Sequence, residues 1–319
     1  MKNFLAISGG VGGAKLGLGL TKVLNEDQLS FLVNTGDDFK HAGMNISPDM
    51  DTLMYTLSGL SNQQLGWGRA DESWAFLDSF KSLGGESWFQ LGDRDLAVHL
   101  RRTELLNSGR LLSDVTNELF HRLGVKYRCW PMSETEVPTK VYTSDGLLSF
   151  QHYFVRDHCA HKVQSIVFEA NEHARPPQGL LDYIGDPDLS GVIICPSNPY
   201  LSIDPILSIT SIRKALVACA APVVAISPII NGDSVKGPTS KIMEELKLEL
   251  SAKTVASHYK GIIDGFVLDT LDGALTGEVE GMGCGVLVTN TMMKTLDDKV
   301  ELAQTVVEFI GNLGDLGCG

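Results

Sequence analysis

The chain has 319 residues, of which 43% are hydrophobic and 20% are charged, and this mixture excludes a disordered or a fibrous protein. Its 39 acidic and 26 basic residues give a formal net charge of −13, which argues against general binding of nucleic acid. The apolar start at 4–7 is too short for a signal peptide, and no apolar run approaches the roughly 18 residues of a membrane span. The six cysteines form no CxxC pair, so we expect a cytoplasmic protein with free thiols that contacts neither nucleic acid nor membrane.

Short, uninterrupted apolar runs alternate with amphipathic segments along most of the chain. The runs lie at 4–7, 31–33, 192–194, 223–226, 266–268 and 286–288. Runs this short predict strands buried on both faces, as in parallel sheets. Apolar residues at three- and four-residue spacing predict helices at 14–24, 212–220, 240–250 and 298–310. We therefore expect an α/β fold, a doubly wound, mostly parallel, Rossmann-like sheet in a single domain over 1–319.

The middle of the chain departs from this rhythm. Helical spacing recurs at 51–60, 72–83, 95–106 and 112–123. Two apolar segments, 141–143 and 147–155, flank Ser144-Asp145-Gly146, a sequence typical of a hairpin turn. We interpret residues 50–155 as a helical and hairpin insertion that caps a site at the carboxyl edge of the sheet.

A glycine-rich loop follows the first predicted strand and opens the first predicted helix. Its residues are Ser8, Gly9, Gly10, Val11, Gly12, Gly13, Ala14 and Lys15. Glycine lets a backbone approach a phosphate closely, and a helix start offers unpaired N–H groups, so we favour anion binding over a plain strand–helix turn. The loop lacks the Gly-Lys-Ser/Thr of a Walker A motif, and Lys15 stands where a dinucleotide fingerprint has its last glycine.

Four carboxylates follow the second predicted strand: Asp37, Asp38, Asp49 and Asp51. Hard cations prefer oxygen ligands, so these residues are candidates for Mg²⁺ held against phosphate oxygens. Asp49 and Asp51 also stand near a predicted helix start, where a carboxylate satisfies unpaired N–H groups. The spacing favours neither interpretation, and it does not divide the roles among the four residues.

An arginine-rich segment follows two aromatic residues, Trp88 and Phe89. Arg94, Arg101 and Arg102 suggest a local anion site beside rings that could flank a planar ligand. Ion pairs along a solvated helix explain the same arginines slightly better.

Two later loops offer contacts for a nucleotide. Ser197 and Asn198 follow a predicted strand, where they either bind a base or ribose edge or cap a helix. The loop at 227–238 contains Lys236, which suits a phosphate clamp and a plain connector equally well. The chain shows no GxSxG elbow and no HExxH helix. We interpret a group of residues near the predicted hairpin as exposed hydrogen-bonding side chains rather than a metal site: His152, Asp157, His158 and His161.

Taken together, these segments resemble the 2-phospho-L-lactate transferase family of coenzyme F420 biosynthesis. The resemblance spans nearly the whole chain, in order, and the combination of motifs is far more specific than the glycine loop alone. The matching motifs are the loop at 8–15, NTGDD at 34–38, SPDMDT at 47–52, TLSGL at 56–60, WGRADESW at 67–74, LGDRDLAVHLRRT at 91–103, PSNPYLSIDPIL at 196–207 and SPIINGDSVKGP at 227–238.

The resemblance implies a transferase that moves a phosphate bearing a three-carbon acid, namely 2-phospho-L-lactate or its phosphoenolpyruvate or 3-phosphoglycerate equivalent. The donor is a guanosine diphosphate ester, and the acceptor is the deazaflavin Fo, whose terminal ribityl hydroxyl attacks phosphorus while GMP leaves. The product is F420-0 or its dehydro form, and no covalent enzyme intermediate is involved. The resemblance also implies Mg²⁺ as the cofactor and a homodimer.

Under this interpretation the site residues fall into three groups. Catalysis is expected at Asp37, Asp49 and Asp51, and metal binding at Asp37, Asp38 and Asp49. The deazaflavin contacts are expected at Asp51 and Gln90, although relatives often carry Lys or Arg at the position of Gln90. The guanosine diphosphate moiety is expected at Gly9, Gly10, Gly12, Gly13, Lys15, Ser197, Asn198 and Lys236.

Two other classes of protein share parts of this pattern. A non-catalytic nucleotide-sugar-binding regulator of related fold shares the glycine loop, but we expect it to lack the motifs at 47–52 and 91–95. An NAD-dependent oxidoreductase is disfavoured because Lys15 stands in place of the last glycine or alanine of its fingerprint.

Overall fold

The computed structural model describes residues 2–62, 67–234 and 237–316. Its strands are β1 (Asn3–Ser8), β2 (Leu29–Val33), β3 (Phe39–His41), β4 (Met44–Ile46), β5 (Arg128–Pro131), β6 (Thr139–Thr143), β7 (Gly146–Ser149), β8 (Val163–Phe168), β9 (Leu189–Ile194), β10 (Val223–Ile226), β11 (Ile229–Ile230), β12 (Asp233–Ser234), β13 (Gly265–Asp269) and β14 (Gly285–Thr289). Its α-helices are α1 (Gly10–Val23), α2 (Pro48–Leu57), α3 (Ala75–Ser82), α4 (Asp93–Asn107), α5 (Leu112–Arg122), α6 (Leu180–Ile184), α7 (Asp204–Ser208), α8 (Thr210–Val217), α9 (Thr239–Glu245), α10 (Ala252–His258), α11 (Thr276–Glu280) and α12 (Leu296–Leu316). Short π-helices lie at His152–Arg156 and Pro199–Ile203, and 3₁₀ segments at Asn171–His173 and Thr270–Leu275.

A seven-stranded sheet forms the centre of the fold, in the order β14-β13-β10-β9-β1-β2-β5. Every neighbouring pair in it is parallel. The chain runs outward from β1 through β2 to β5 on one side, and from β9 through β10 and β13 to β14 on the other. The strand order therefore reverses between β1 and β9, where open α/β sheets bind ligands outside the carboxyl ends of the strands. The predicted doubly wound α/β fold is confirmed.

Alternate residues of the central strand β1 point to opposite faces of the sheet. Leu5 and Ile7 belong to one apolar cluster, whereas Phe4 and Ala6 belong to another. All four are at most 1% exposed, as expected for a parallel strand covered on both faces. Side chains of α6, α8 and α10 complete the first cluster, and those of α1, α2 and α12 complete the second. The two cores hold the carboxyl ends of the strands in fixed positions.

Between β4 and β9 the chain departs from the alternation of strand and helix. α3, α4 and α5 precede β5, and a separate antiparallel sheet of order β7-β6-β8 follows. The predicted hairpin turn is confirmed, because Thr143 pairs with Gly146. The segment 147–155 is strand only as far as Ser149, and the rest of that prediction was wrong. Phe150 and Tyr153 are both buried, and a spacing of three residues suits a helical turn rather than a strand.

β5, which pairs with β2 at one edge of the central sheet, is not among the predicted strands. Its sequence, Arg-Cys-Trp-Pro, lacks an uninterrupted apolar run. Both a charged residue and a proline are tolerated at a sheet edge, where one side of the strand makes no ladder hydrogen bonds. Within the three described ranges, none of the helices combines the length and the apolar character that crossing a membrane requires.

Candidate active site

A cavity of about 640 Å³ lies at the carboxyl ends of the central strands. The first turn of α1 and the loop after β9 contribute to its lining, as do carboxylates that follow β2. Residues 88–90 and 150–158 contribute an aromatic part. Segments that are far apart in the sequence therefore meet at the switch point of the sheet.

The predicted glycine loop is the first turn of α1, which begins at Gly10. Gly9, Gly10 and Gly12 line the cavity, whereas Gly13 is buried and does not line it. Gly10 has a φ of +66°, which favours glycine. A Cβ on Gly12 would lie 2.1 Å from the carbonyl oxygen of Pro196, so only glycine lets the helix start pack against the loop after β9. The first turn, whose N–H groups have no intrahelical partner, thereby borders the cavity.

Three polar side chains expected to bind the nucleotide reach the same cavity. Lys15 lines it, and its Nζ donates to the carbonyl oxygen of Met293 at 3.2 Å. Ser197 accepts the N–H of Gly9 on its Oγ at 3.3 Å. Asn198 accepts two backbone N–H groups of the following turn on Oδ1, while its Nδ2 is buried without a hydrogen-bond partner. A buried amide of this kind is a donor to which a ligand can bind.

The carboxylates of Asp37 and Asp49, which both line the cavity, share one hydrogen-bond donor. Nδ2 of Asn34 lies 2.9 Å from Oδ2 of Asp49 and 3.4 Å from Oδ1 of Asp37. Burial raises the pKa of Asp49 to about 6, although hydrogen bonds from Asn34 and from the N–H of Gly10 oppose the shift. Burial, followed by the charges of Asp49 and Asp38, raises the pKa of Asp37 well above its usual range. Ionisation of both carboxyl groups is therefore costly in this buried position, and a bound cation would offset that cost.

Asp38 is separate from this pair, because it does not line the cavity. Its Oδ2 accepts the hydroxyl of Ser47 at 2.7 Å, and its Oδ1 is buried without a hydrogen-bond partner. Burial raises the pKa of Asp38 well above its usual range. Since Ser47 directly precedes α2, Asp38 supports the start of the helix that carries Asp49 and Asp51.

Asp51 lines the cavity and also forms an ion pair with a buried arginine. Arg102 of α4 donates through Nη2 to Oδ1, and through Nη1 to Oδ2 at 3.1 Å. Nδ1 of His99 lies 3.6 Å from the same Oδ2. Asp49 and Asp51 both lie in the first turn of α2, but their carboxylates bind Asn34 and Arg102. The hydrogen bonds of the described residues thus favour a role in the site over helix capping.

The three arginines of the predicted anion site have different environments. Arg101 forms ion pairs with Glu104 and Glu118 on the surface, and Arg94 lies 4.0 Å from an exposed Asp71. None of the arginines lines the cavity. Surface ion pairs therefore explain Arg94 and Arg101, whereas the burial of Arg102 against Asp51 was missed by sequence reasoning.

Aromatic side chains form another part of the cavity lining. Trp88 and Phe89 contribute from the loop before α4, and Phe150 and Phe154 stack with their ring centroids 5.3 Å apart. Gln90, a predicted deazaflavin contact, lies next to Trp88 and Phe89 and lines the same cavity. Flat apolar faces of this kind suit a planar ligand.

Sequence reasoning also missed Gln151, which lines the cavity and is buried. Its Nε2 donates to the backbone carbonyl oxygen of Asp37 at 3.2 Å and to Oδ2 of the same residue at 3.3 Å. No sequence signal identified it, because it lies inside a segment predicted as strand. Thr291 and Met293 also line the cavity, and they were not among the predicted site residues. Lys236 lies outside the described residues.

In the described part of the chain, no three His, Cys, Asp or Glu side chains lie close enough together to hold a metal ion by themselves. His161, from the predicted histidine group, instead pairs with Asp145 at 2.7 Å and Asp157 at 3.3 Å. Asp37 and Asp49 nevertheless fit Mg²⁺, because this ion is commonly bound by one or two carboxylates together with water and substrate phosphate oxygens.

The chain is similar to one family model and to named proteins from several organisms. The family model described as 2-phospho-L-lactate transferase CofD matches residues 4–281. A phosphoenolpyruvate transferase from Kitasatospora aureofaciens is 38% identical over 310 residues, covering 95% of this chain and 96% of the relative. A 2-phospho-L-lactate transferase from Methanocaldococcus jannaschii is 37% identical over 311 residues, covering 96% of this chain and 98% of the relative.

A solved structure of a UPF0052-family protein from Bacillus halodurans has a similar fold. It matches with a TM-score of 0.62 at 14% identity, covering 96% of this chain and 99% of its own. At this identity the likeness concerns the fold alone. The sequence matches to the two named relatives extend over nearly the whole length of both chains. The chain therefore belongs to the 2-phospho-L-lactate transferase CofD family.

Proposed function

We propose that the protein transfers a phosphate bearing a three-carbon acid from a guanosine diphosphate ester to the terminal ribityl hydroxyl of Fo, with release of GMP. The transferred group is 2-phospho-L-lactate or its phosphoenolpyruvate or 3-phosphoglycerate equivalent, and the product is F420-0 or its dehydro form. Relatives named as 2-phospho-L-lactate and phosphoenolpyruvate transferases support this choice of groups. As a member of the family, the protein is a transferase.

One observation carries the proposal: a helix start, a carboxylate pair and an aromatic surface share one cavity. The first turn of α1 and Lys15 suit a diphosphate, since both supply positive potential. The rings of Trp88, Phe150 and Phe154 suit the planar deazaflavin. The volume of about 640 Å³ lies within the range of roughly 300–1,000 Å³ that is usual for small-molecule sites.

The reaction exchanges one phosphorus–oxygen bond for another. The ribityl oxygen forms a bond to the phosphorus that carries the acid, while the bond from that phosphorus to the bridging oxygen breaks. GMP leaves with the electron pair, and the hydroxyl proton passes to Asp51, which lines the cavity. Such a transfer depends on positioning and charge neutralisation rather than on a protein nucleophile.

The remaining residues have binding roles in this proposal. Lys15 and the N–H groups of the first turn of α1 bind the diphosphate, and the unpartnered Nδ2 of Asn198 donates to the guanosine side of the donor. Ser197 holds the glycine loop in place through the N–H of Gly9. Gln90 contacts the deazaflavin beside Trp88. The roles of Asp38 as a ligand and of Lys236 as a phosphate clamp stay predictions.

Asp37 and Asp49 would hold Mg²⁺, together with water and phosphate oxygens. When bound, the ion neutralises negative charge that develops on the phosphates. Asn34 supports both carboxylates, and Gln151 supports Asp37, so the pair keeps its orientation. The raised pKa values of the two carboxyl groups indicate the energetic reason for a cation at this position.

Turnover with defined substrates tests the proposal. Purified protein, Fo and Mg²⁺ are incubated with each of the three guanosine diphosphate esters, and GMP is measured by chromatography and the deazaflavin product by mass spectrometry. GMP release matched by a phosphorylated deazaflavin bearing the acid supports the proposal. Tight GDP binding without any transfer contradicts it and favours the non-catalytic regulator. Light scattering on the same sample tests the homodimer, which belongs to the same proposal.

A further inference from the structure

The ion pair between Asp51 and Arg102 links α2 to α4 beside the cavity. The side chains of Arg102 and Asp51 are only 2% and 7% exposed. Each of the two Nη atoms donates to a different carboxylate oxygen. Because both atoms of the fork are engaged, the pair fixes the plane of the carboxylate as well as its position.

Asp51 keeps acceptor capacity on the cavity side despite this ion pair. An ionised carboxylate offers about four lone-pair positions, two on each oxygen. Arg102 takes one position on each oxygen, so one on each is left for other donors. Since Asp51 lines the cavity, those positions are available to the hydroxyl that attacks phosphorus in the proposed reaction.

Arg102 is in turn held by a backbone carbonyl group and a side chain that the proposed reaction does not use. Its Nη1 lies 3.4 Å from the carbonyl oxygen of Asn45 and 3.1 Å from Nδ1 of His99. A guanidinium only donates, so Nδ1 of His99 accepts, while Nε2 lies 3.1 Å from Oδ2 of Asp95, within ion-pair distance but without the geometry of a hydrogen bond. Asp95 also accepts the hydroxyl of Tyr55. The orientation of Arg102 is therefore set by a connected group of buried polar side chains.

Stability alone is a weak reason for such a group. Desolvation of a buried ion pair costs about as much free energy as the attraction returns, and apolar residues of similar volume often stabilise a fold at least as well. A bidentate pair at a cavity instead supplies a fixed orientation. This favours a role of Arg102 in the site over a role in folding.

We propose that Arg102 is a positioning residue for the transfer, and that His99 and Asp95 orient Arg102. Arg102 acts on the reaction only through Asp51, whose carboxylate it holds in one orientation toward the attacking hydroxyl. The inference rests on the proposed function, because the role of Asp51 belongs to that proposal.

Kinetic comparison of two neighbouring arginines tests the inference. Arg102→Lys keeps the charge but loses the fork, so we expect its kcat to fall about ten-fold or more, with the KM for the donor ester and the Kd of GDP within about two-fold of wild type. Arg101→Met is the matched control, since Arg101 lies next to Arg102 on α4 but is 40% exposed. It keeps the wild-type constants.

A second pair of variants separates positioning from folding. Arg102→Met leaves the Asp51 carboxylate buried without its partner and is expected to fold less well. The double variant Asp51→Asn/Arg102→Met removes both charges, so it leaves no buried carboxylate without a partner. If Arg102 acts only through Asp51, the double variant and Asp51→Asn have single-turnover rates within about three-fold of each other.

Three outcomes overturn the inference. The first is a wild-type kcat in Arg102→Lys. The second is a further loss of about ten-fold in the double variant relative to Asp51→Asn, since Arg102 then acts independently of Asp51. The third is a raised KM or GDP Kd with unchanged kcat, which assigns Arg102 to ground-state binding. Failure of the proposed function looks different, because the wild-type protein itself then releases no GMP with Fo, and the inference falls with it.

Discussion

The side-chain amide of Asn34 donates to the carboxylate of Asp49 at 2.9 Å, joining the end of β2 to the first turn of α2. The same Nδ2 lies 3.4 Å from Asp37. One neutral amide thus lies between two buried carboxylates, and it offsets only part of their repulsion. Divalent cations relieve repulsion of this kind. In the proposed reaction, Asn34 therefore holds Asp37 and Asp49 in the positions from which they would bind the metal ion.

Asn34→Ala is expected to weaken the binding of Mg²⁺ by the carboxylate pair. Without the shared donor, Asp37 and Asp49 lose their fixed orientation. The Mg²⁺ concentration that gives half-maximal turnover should therefore rise about ten-fold or more. Titration of turnover with MgCl₂ measures the effect, and Asn25→Ala, at an exposed turn, is the control. An unchanged Mg²⁺ requirement in Asn34→Ala would remove Asn34 from the site.

The stability of the metal-free protein is expected to depend on pH through Asp49. Its pKa of about 6 in the folded protein lies above the ordinary value of 3.8, so the folded state binds the proton more tightly. Protonated Asp49 therefore contributes stability that is fully present below pH 3.8 and is lost as the pH rises through about 6. Asp49→Asn has no carboxyl group at this position and does not lose stability in this way. In EDTA, the Tm of the variant should therefore exceed that of the wild type by an amount that grows between pH 4 and pH 7.

At pH 7, Mg²⁺ should make the Tm of the wild type higher than that of Asp49→Asn. The ion binds ionised Asp49 and stabilises the wild type by mass action. Glu136→Gln, an exposed carboxylate paired with Lys40 at 3.7 Å, is the surface control in the same scans. A difference in Tm between Asp49→Asn and wild type that stays constant with pH would contradict the assigned pKa.

Gly12→Ala is expected to damage both the fold and nucleotide binding. The new Cβ would meet the carbonyl oxygen of Pro196 at 2.1 Å, and overpacking of this kind costs about 1–3 kcal/mol. Displacement of α1 from the loop after β9 should also weaken GDP binding, as calorimetry would measure. Gly277→Ala is the control, since an added Cβ there meets nothing within 4 Å. Equal behaviour of the two variants would show that Gly12 has no packing role.

Lys15→Met is expected to raise the Kd of GDP by about ten-fold, because the variant loses a charge-assisted contact with a phosphate. Its thermal unfolding should change little, because the side chain lines the cavity rather than the core. Lys22→Met, at an exposed position on the same helix, controls for the loss of one positive charge. Unchanged GDP affinity in Lys15→Met would exclude Lys15 from the phosphate site.

The sequence by itself determined the fold class, and it predicted a site at the carboxyl edge of the sheet, where the cavity lies. Runs such as 4–7 and 223–226 are apolar on both faces, a local pattern that favours a strand covered on both sides. The glycine loop follows from the same kind of local rule, because close packing at a strand end requires small residues. The turn at Ser144-Asp145-Gly146 is likewise a local property of three residues.

Only the tertiary structure decided how the four carboxylates differ. Asp38 supports Ser47, Asp37 and Asp49 share Asn34, and Asp51 pairs with Arg102, 51 positions away in the chain. Local periodicity carries no information on such partners, because a contact between α2 and α4 depends on how both helices pack on the sheet. In the same way, the exposed Arg101 and the buried Arg102 are adjacent and chemically identical. The packing of α4 beside α2, rather than residue type, makes one a surface charge and the other a buried partner of Asp51.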